Sequence, residues 1–262
     1  MNCKASVLGA LASVIVLGAA SAADLPSRKA APVVAPPAFT WTGWHGGISG
    51  GYAGGTADYN ATLYSVTAVP GAAWSVNPSV GTSGWLIGYT GGYSWQLSND
   101  IVVGYENDFN YANVSNNGGP LASGGVNSRL NWFGTERLRF GYAMGRFLPY
   151  ITGGFAYGRI NGTSWTSGYE AMIPIGNSGD RWRGGWAVGG GLEYAVTDTI
   201  SIKGEYLYAS IGAPNGSAVG WGGNTFAVIN GGNYNLNIAR GGVNYHVKSF
   251  GKLFGIDALG DL

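Results

Sequence analysis

Residues 135–158 read TERLRFGYAMGRFLPYITGGFAYG. Before the Met144-Gly145-Arg146 step, Thr135, Arg137 and Arg139 alternate with Leu138, Phe140 and Tyr142; after it the chain continues as an apolar, glycine-studded segment. Alternation with period two marks a strand with two unlike faces. A three-residue step between two such runs leaves room only for a tight hairpin. Charge on one face and grease on the other suit a closed sheet, its polar side turned to a lumen and its apolar side to hydrocarbon.

Composition points the same way. The 262 residues include 48 glycines, and aromatics make up 13% of the chain. Charged residues reach only 10%, against about 25% in ordinary soluble domains. A fully wet surface would carry more charge. Beyond the amino terminus no apolar run is long enough for a membrane helix, and so many Trp and Tyr residues argue against disorder. The formal net charge is +1, with no basic stripe for nucleic acid.

Lys4, the apolar run Val7 to Ala20 and the small-residue step Ala20-Ser21-Ala22 read as an export signal over residues 1–22, handled by the Sec pathway. Cys3, the only cysteine, would leave with it, so no disulfide is expected. Residues 23–42 read as a Pro/Ala-rich linker, residues 43–247 as the folded domain, and residues 248–262 as a C-terminal extension. In that extension Phe250, Leu253, Phe254 and Ile256 recur at near-helical spacing.

The domain holds eight candidate strands: 44–53, 84–96, 100–109, 130–143, 147–160, 184–196, 199–210 and 236–247. The connections after the second, fourth and sixth are tiny: Leu97-Ser98-Asn99, Met144-Gly145-Arg146 and Thr197-Asp198. Those after the first, third, fifth and seventh are long and rich in Asn, Gly and Ser. Short turns at one end and long loops at the other are the signature of a bacterial outer-membrane barrel. The expected fold is therefore all-β: an eight-stranded antiparallel up-and-down transmembrane β-barrel with short periplasmic turns and long external loops.

Parity assigns the faces. Ile200, Ile202, Gly204, Tyr206 and Tyr208 fall outside; Ser201, Lys203, Glu205 and Leu207 fall inside. Extended to all strands, the inward set contains Glu106, Asp108, Glu193 and Glu205 facing Arg137, Arg139, Lys203 and Arg240. Balanced charges in so narrow a space suggest a salt-bridge network that plugs the lumen. His45 and His246 also face inward, at the periplasmic end. Trp44, Trp95, Tyr142, Tyr150 and Tyr194 are expected in a girdle near the turns, and Tyr105, Trp132, Tyr157 and Trp186 in one near the loops. Gly50, Gly91, Gly153 and Gly190 are expected to relieve crowding. Glu136 breaks the pattern, sharing the outward parity of Leu138 and Phe140.

Catalytic signatures are missing: there is no HExxH, no GxSxG and no mature cysteine, so neither enzyme chemistry nor a cofactor or metal is expected. Binding, where it occurs, would use aromatic residues of the long connections: Tyr59, Tyr64, Trp74, Trp165, Tyr169 and Trp182.

Four blocks in order, FTWTGWHGGISGGYAGG, WFGTERLRFGYAMGRFLPYITGGFAYG, GWAVGGGLEYAVTDTISIKGEYLYAS and ARGGVNYHV, resemble the small outer-membrane β-barrel proteins of alphaproteobacteria, the porin-like outer-membrane immunogenic group. The resemblance implies a barrel like the transmembrane domain of outer-membrane protein A, monomeric and surface-exposed. It also implies contact with outer-membrane lipids, lipopolysaccharide and the barrel-assembly machinery. Roles in envelope integrity and surface antigenicity, and in some members haem binding, come with it; host surface molecules are further candidate partners. The family ends with an aromatic after NYH, where this chain has Val247. A small porin and a secreted adhesin are the alternative readings.

Overall fold

A computed structural model describes residues 39–65, 72–116, 124–166, 178–213, 218–221 and 225–247, with side chains near several loop-side strand ends excepted. The expected signal segment and the C-terminal extension lie outside the described residues. Ten strands form one antiparallel sheet: β1 (Gly43–Ser65), β2 (Ala73–Val76), β3 (Ser79–Gln96), β4 (Ile101–Asn116), β5 (Gly124–Tyr142), β6 (Phe147–Thr166), β7 (Ser178–Ala195), β8 (Ile200–Ala213), β9 (Ala218–Trp221) and β10 (Thr225–Val247). Each long strand pairs with its sequence neighbour, and β1 closes on β10 from Trp44↔Val247 to Ser65↔Thr225. The result is an eight-stranded barrel. β2 and β9 are short additions, pairing with the loop-side ends of β1 and β10.

The tight turns fall where expected. Asp100 (φ 62°) and Gly145 (φ 61°) adopt left-handed backbone in two of them, a conformation open to Gly and tolerated by Asp. The loop-side ends differ from expectation. β1 runs to Ser65 and not to Ala53, β10 begins at Thr225 and not at Leu236, and β5 and β6 reach Gly124 and Thr166. The cause is a change of solvent along each strand. On the turn side of β8, Ile202 and Tyr206 are exposed on the outer face while Lys203 and Glu205 are buried within. Loop-ward the same inward parity becomes Leu207, Ala209, Ile211 and Ala213, all buried, and the outward parity reaches Ser210. β10 repeats the switch, from buried Arg240 to Ile238, Leu236 and Tyr234. The lumen is polar on the turn side and apolar toward the loops, while the outer face stays apolar for some way beyond that change, with Trp85, Ile87, Trp186 and Val188 exposed beside the buried Leu86 and Ala187. Strand pairing continues past the point where the outer face turns polar.

Several girdle assignments are corrected. Tyr150 is only 5% exposed and faces the lumen, because β6 parity puts Phe147 and Ile151 outside. Tyr105 lies in the turn-side third of β4, not near the loops. The turn-side outer ring does contain Trp44, Trp95, Tyr142 and Tyr194, whereas Trp132, Tyr157 and Trp186 stand outside near the middle of β5, β6 and β7, because those strands run further toward the loops than expected.

The glycine reading is corrected too. At the outward Gly50, Gly91 and Gly153 an added Cβ would meet no atom closer than 3.3 Å. Only Gly190 of the expected set is tight, at 2.9 Å from the Tyr150 carbonyl oxygen. Backbone crowding is tightest at inward positions, where the strongly coiled strands press together: a Cβ at Gly51 would lie 2.2 Å from the Ala239 carbonyl oxygen, and one at Gly189 2.1 Å from that of Tyr206. Gly204, outward, has nothing within 4 Å. Gly51→Ala should therefore lose most of the heat-modifiable folded band on gels of unboiled refolded protein. Gly204→Ala should keep the wild-type band; equal behaviour of the two variants would contradict this packing.

Candidate functional site

The lumen is filled in layers from the turn end upward. Its floor is apolar: Trp41, Val102, Ala143, Leu148 and Ala195 are buried together, with Phe39 packed against them. Trp41 belongs to residues 39–42, the end of the segment read as a linker. It is held by its indole Nε1 donating to the Gly145 carbonyl (3.0 Å) and by its backbone N–H donating to Gln96 Oε1 (2.9 Å). Phe39 meets it edge to face, with ring centroids 5.0 Å apart. Nothing in the proline-rich run upstream signals this docking; the aromatic triplet Phe39, Trp41 and Trp44 was the available hint.

Above the floor, β1–β10 register sets His45 opposite His246, and their ring centroids are 5.8 Å apart. His246 Nε2 is 2.8 Å from Ser201 Oγ and 3.5 Å from Glu193 Oε1. His45 Nε2 is 3.6 Å from Glu106 Oε2. Both histidines sit in the lumen at the turn end.

The ionic layer follows, and it brings together all eight residues of the inward charged set. Arg137 is its hub, donating to Glu106 (2.7 Å), Glu205 (2.7 Å) and Asp108 (3.2 Å). Arg240 bridges Asp108 (2.9 Å) and Glu205 (2.6 Å). Lys203 lies 2.9 Å from Glu106, while Arg139 pairs with Glu193 and approaches Glu106 at 3.6 Å. Neighbouring polar groups donate to two of the carboxylates. Thr135 (2.5 Å) and Asn110 (2.7 Å) donate to Asp108, and Ser201 (2.5 Å) and Asn244 (2.9 Å) donate to Glu193. Tyr150 uses its inward position fully: its hydroxyl donates to Glu205 (3.2 Å), and the Arg139 guanidinium stacks 3.7 Å over its ring.

A second apolar layer caps the charges. Leu86, Leu130, Phe133, Ile160, Leu207, Ile211, Leu236 and Ile238 pack across the bore with inward alanines. The inward half of the sequence pattern carried this signal, since Glu205 passes to Leu207 and Ile211 with parity unchanged. At its top Tyr59 and Tyr234 both hydrogen-bond Ser128, which also donates to Asn116 Oδ1.

That knot corrects the expectation for Tyr59. It is 1% exposed inside the barrel and is not a loop residue, because β1 extends past it. Tyr64 likewise belongs to β1 and Trp74 to β2, where Trp74 is exposed. Trp182 is exposed on β7. The side chain of Trp165 and all of Tyr169 lie outside the described residues. Of the expected loop aromatics, Tyr59 is thus enclosed in the bore, while Trp74 on β2 and Trp182 on β7 are exposed.

On the outer face, Glu136 accepts a hydrogen bond from the Tyr105 hydroxyl, which satisfies the acid that broke the pattern. Loop-ward of it Phe109, Trp132, Tyr157 and Trp182 cluster, with Phe109 and Trp132 stacked at 5.1 Å. A trough of about 430 Å³ opens beside them, bordered by Phe109, Phe155, Tyr157, Trp182, Arg183 and Gly184. Among the described residues no group of three or more His, Cys, Asp or Glu side chains is placed to hold a metal.

Comparison with known proteins agrees with this architecture. The 31 kDa outer-membrane immunogenic protein of Brucella melitensis is 34% identical over 217 residues, covering 81% of this chain and 89% of that protein. The 22 kDa outer membrane protein of Rhizobium leguminosarum bv. viciae is 32% identical over 212 residues, covering 77% and 83% respectively. Among solved structures, OprG of Pseudomonas aeruginosa aligns over 80% of this chain and 100% of its own, at 18% identity and a TM-score of 0.42. The family described as outer membrane protein beta-barrel domain matches residues 10–246. With its closed, lumen-filled barrel and lipid-facing outer wall, the chain belongs to that family of Gram-negative outer-membrane proteins.

Proposed function

We propose that this protein is a non-enzymatic, non-conducting barrel that supports the outer membrane and presents its loop-end surface to the exterior. The observation that carries this reading is the stacking of the bore. An ionic layer is closed below by Trp41 and Leu148 and above by Phe133, Leu207 and Ile238, all at most 2% exposed. A solute path would have to cross two apolar layers and separate ion pairs whose members are almost fully buried. Removing one partner of a buried pair costs about 3–5 kcal/mol, so thermal opening of such a path is rare. Surface presentation is supported by the relatives named as immunogenic outer-membrane proteins.

Three measurements test the reading. In planar bilayers the refolded full-length chain should give no steady single-channel openings; reproducible large steps would replace the closed barrel by a small porin. On intact cells an epitope inserted between β6 and β7 should be accessible to antibody and one inserted after Asn99 should not, since the β6–β7 and β3–β4 connections join opposite ends of the strands. For the network itself, Arg137→Met leaves Glu106, Asp108 and Glu205 without their shared cation and should cost about 3–5 kcal/mol in urea unfolding from micelles. Asp198→Asn, which breaks the exposed Arg146–Asp198 pair, should cost less than about 1 kcal/mol.

A further inference from the structure

The histidine pair at the turn end of the bore is titratable, enclosed and not needed to balance the ionic layer. His45 and His246 are register partners in the closing β1–β10 ladder, and both are at most 9% exposed. His45 Nε2 is buried without a hydrogen-bond partner among the described residues, and Glu106 Oε2 lies 3.6 Å from it. His246 Nε2 meets Ser201 Oγ and stands 3.5 Å from Glu193 Oε1.

The surrounding charges are already matched. Glu106, from β4, has Arg137 of β5 and Lys203 of β8, with Arg139 of β5 at 3.6 Å. Glu193, from β7, has Arg139, Ser201 and Asn244. Deeper in the layer Asp108 and Glu205 are taken by Arg137 and Arg240, and the hydroxyl of Tyr150, from β6, donates to Glu205. With both imidazoles neutral, the inward acids and bases balance. An imidazole in water takes up a proton near about pH 6.5. Protonating both rings would bring two positive charges, on centroids 5.8 Å apart, into a chamber whose carboxylates each have a cation already. Like charges so close repel, most strongly where water is excluded. A buried charge without a partner of its own is costly until water reaches it.

Water is kept from the pair by a short strap, residues 39–42. The Trp41 ring, 2% exposed, lies edge to face with His246 at 5.7 Å. The strap turns across the mouth at Gly43, whose φ of 140° favours glycine. Its polar clasp is small. Trp41 N–H donates to Gln96 Oε1 (2.9 Å), Gln96 N–H donates to Thr42 Oγ1 (2.9 Å), and the Trp41 indole N–H donates to the Gly145 carbonyl (3.0 Å). The strap can leave without breaking a strand pair. The histidines cannot separate without opening the β1–β10 seam.

We propose that the turn end of the barrel is an acid-sensitive latch: protonation of both His45 and His246 releases residues 39–42 from the mouth and lets water reach the pair, and their neutral forms let Trp41 close over it. The latch is closed above the histidine range and released below it. It does not rest on the barrel being non-conducting. The apolar layer of Phe133, Leu207 and Ile238 lies on the far side of the charges and stays in place whether the strap is in or out. Channel recordings and the latch therefore fail independently.

Hydrogen exchange of the refolded full-length chain in micelles, read by mass spectrometry at about pH 5 and about pH 7.5 and divided by the intrinsic rate at each pH, tests it. In the wild type the corrected exchange of the strap should rise about tenfold at the lower pH, while the 203–207 segment of β8 stays protected. In H45Q/H246Q the rise should fall below about twofold. A merely structural role for the pair would change the level of exchange and leave its pH ratio as it was. Gel mobility before boiling verifies folding; should the double variant not fold, H246Q alone should cut the ratio to about threefold. A wild-type ratio below about twofold overturns the proposal. So does a folded histidine variant that keeps the wild-type ratio, or a rise in β8 as large as that in the strap.

Discussion

Closure of β1 on β10 is the pairing on which everything else in this barrel depends. In hydrocarbon no water is available to an unpaired backbone N–H or C=O, and each such group costs several kcal/mol. An open sheet would expose two edges to lipid. The register from Trp44↔Val247 to Ser65↔Thr225 removes both, and in doing so it fixes the lumen. Eight strands leave a bore that side chains must fill. Every inward residue therefore has to find a partner across a narrow space, which is why the charges are balanced, why Tyr150 is spent on Glu205 and Arg139, and why glycines occur where strands press together.

The same strands cross two solvents, and this explains what could be read in the sequence. Within the membrane the outer face must be apolar, so Ile202, Val243 and Leu138 announce their side, and Lys203, Arg240 and Arg137 announce the other. The tight turns and the inward charged set were legible for that reason. Further toward the loops the outer face turns polar. Ser210, Asn235 and Asp58 then appear outside, linked by hydrogen bonds of 2.8 and 2.6 Å, and the segments resemble polar loops. Tyr59 was misplaced on this account, although its inward parity was present in the pattern. The docking of Phe39 and Trp41 was not legible at all. It rests on Gly145 and Gln96, far away in sequence, and no local periodicity reports such a contact.

The ionic layer contributes less to net stability than its number of pairs suggests, since desolvating each charge offsets much of the attraction. Its stronger effect is on register. Because side chains alternate with period two, a slip of one residue turns an entire strand inside out. In β5 such a slip would carry Arg137 and Arg139 into lipid, at about 2–4 kcal/mol each near the midplane, would take one cation from Glu106 and Glu205, and would leave Glu193 without its arginine. An apolar lumen would carry no such penalty. The charges thus select one pairing among near-equivalent ones, and the apolar layers above and below supply the burial that holds it.

Glu136 shows the same logic from the opposite side. It has the wrong parity for a charge, and correcting it by slippage would expel Arg137 on the neighbouring position. The fold retains the register and satisfies the misplaced carboxylate locally, with the hydroxyl of Tyr105 from the adjacent strand. One outward acid with a phenol donor is a smaller cost than two outward arginines and the loss of their ion pairs with Glu106, Asp108, Glu193 and Glu205. Register in β5 is therefore decided by the sum over its inward face, and a single dissenting residue is accommodated.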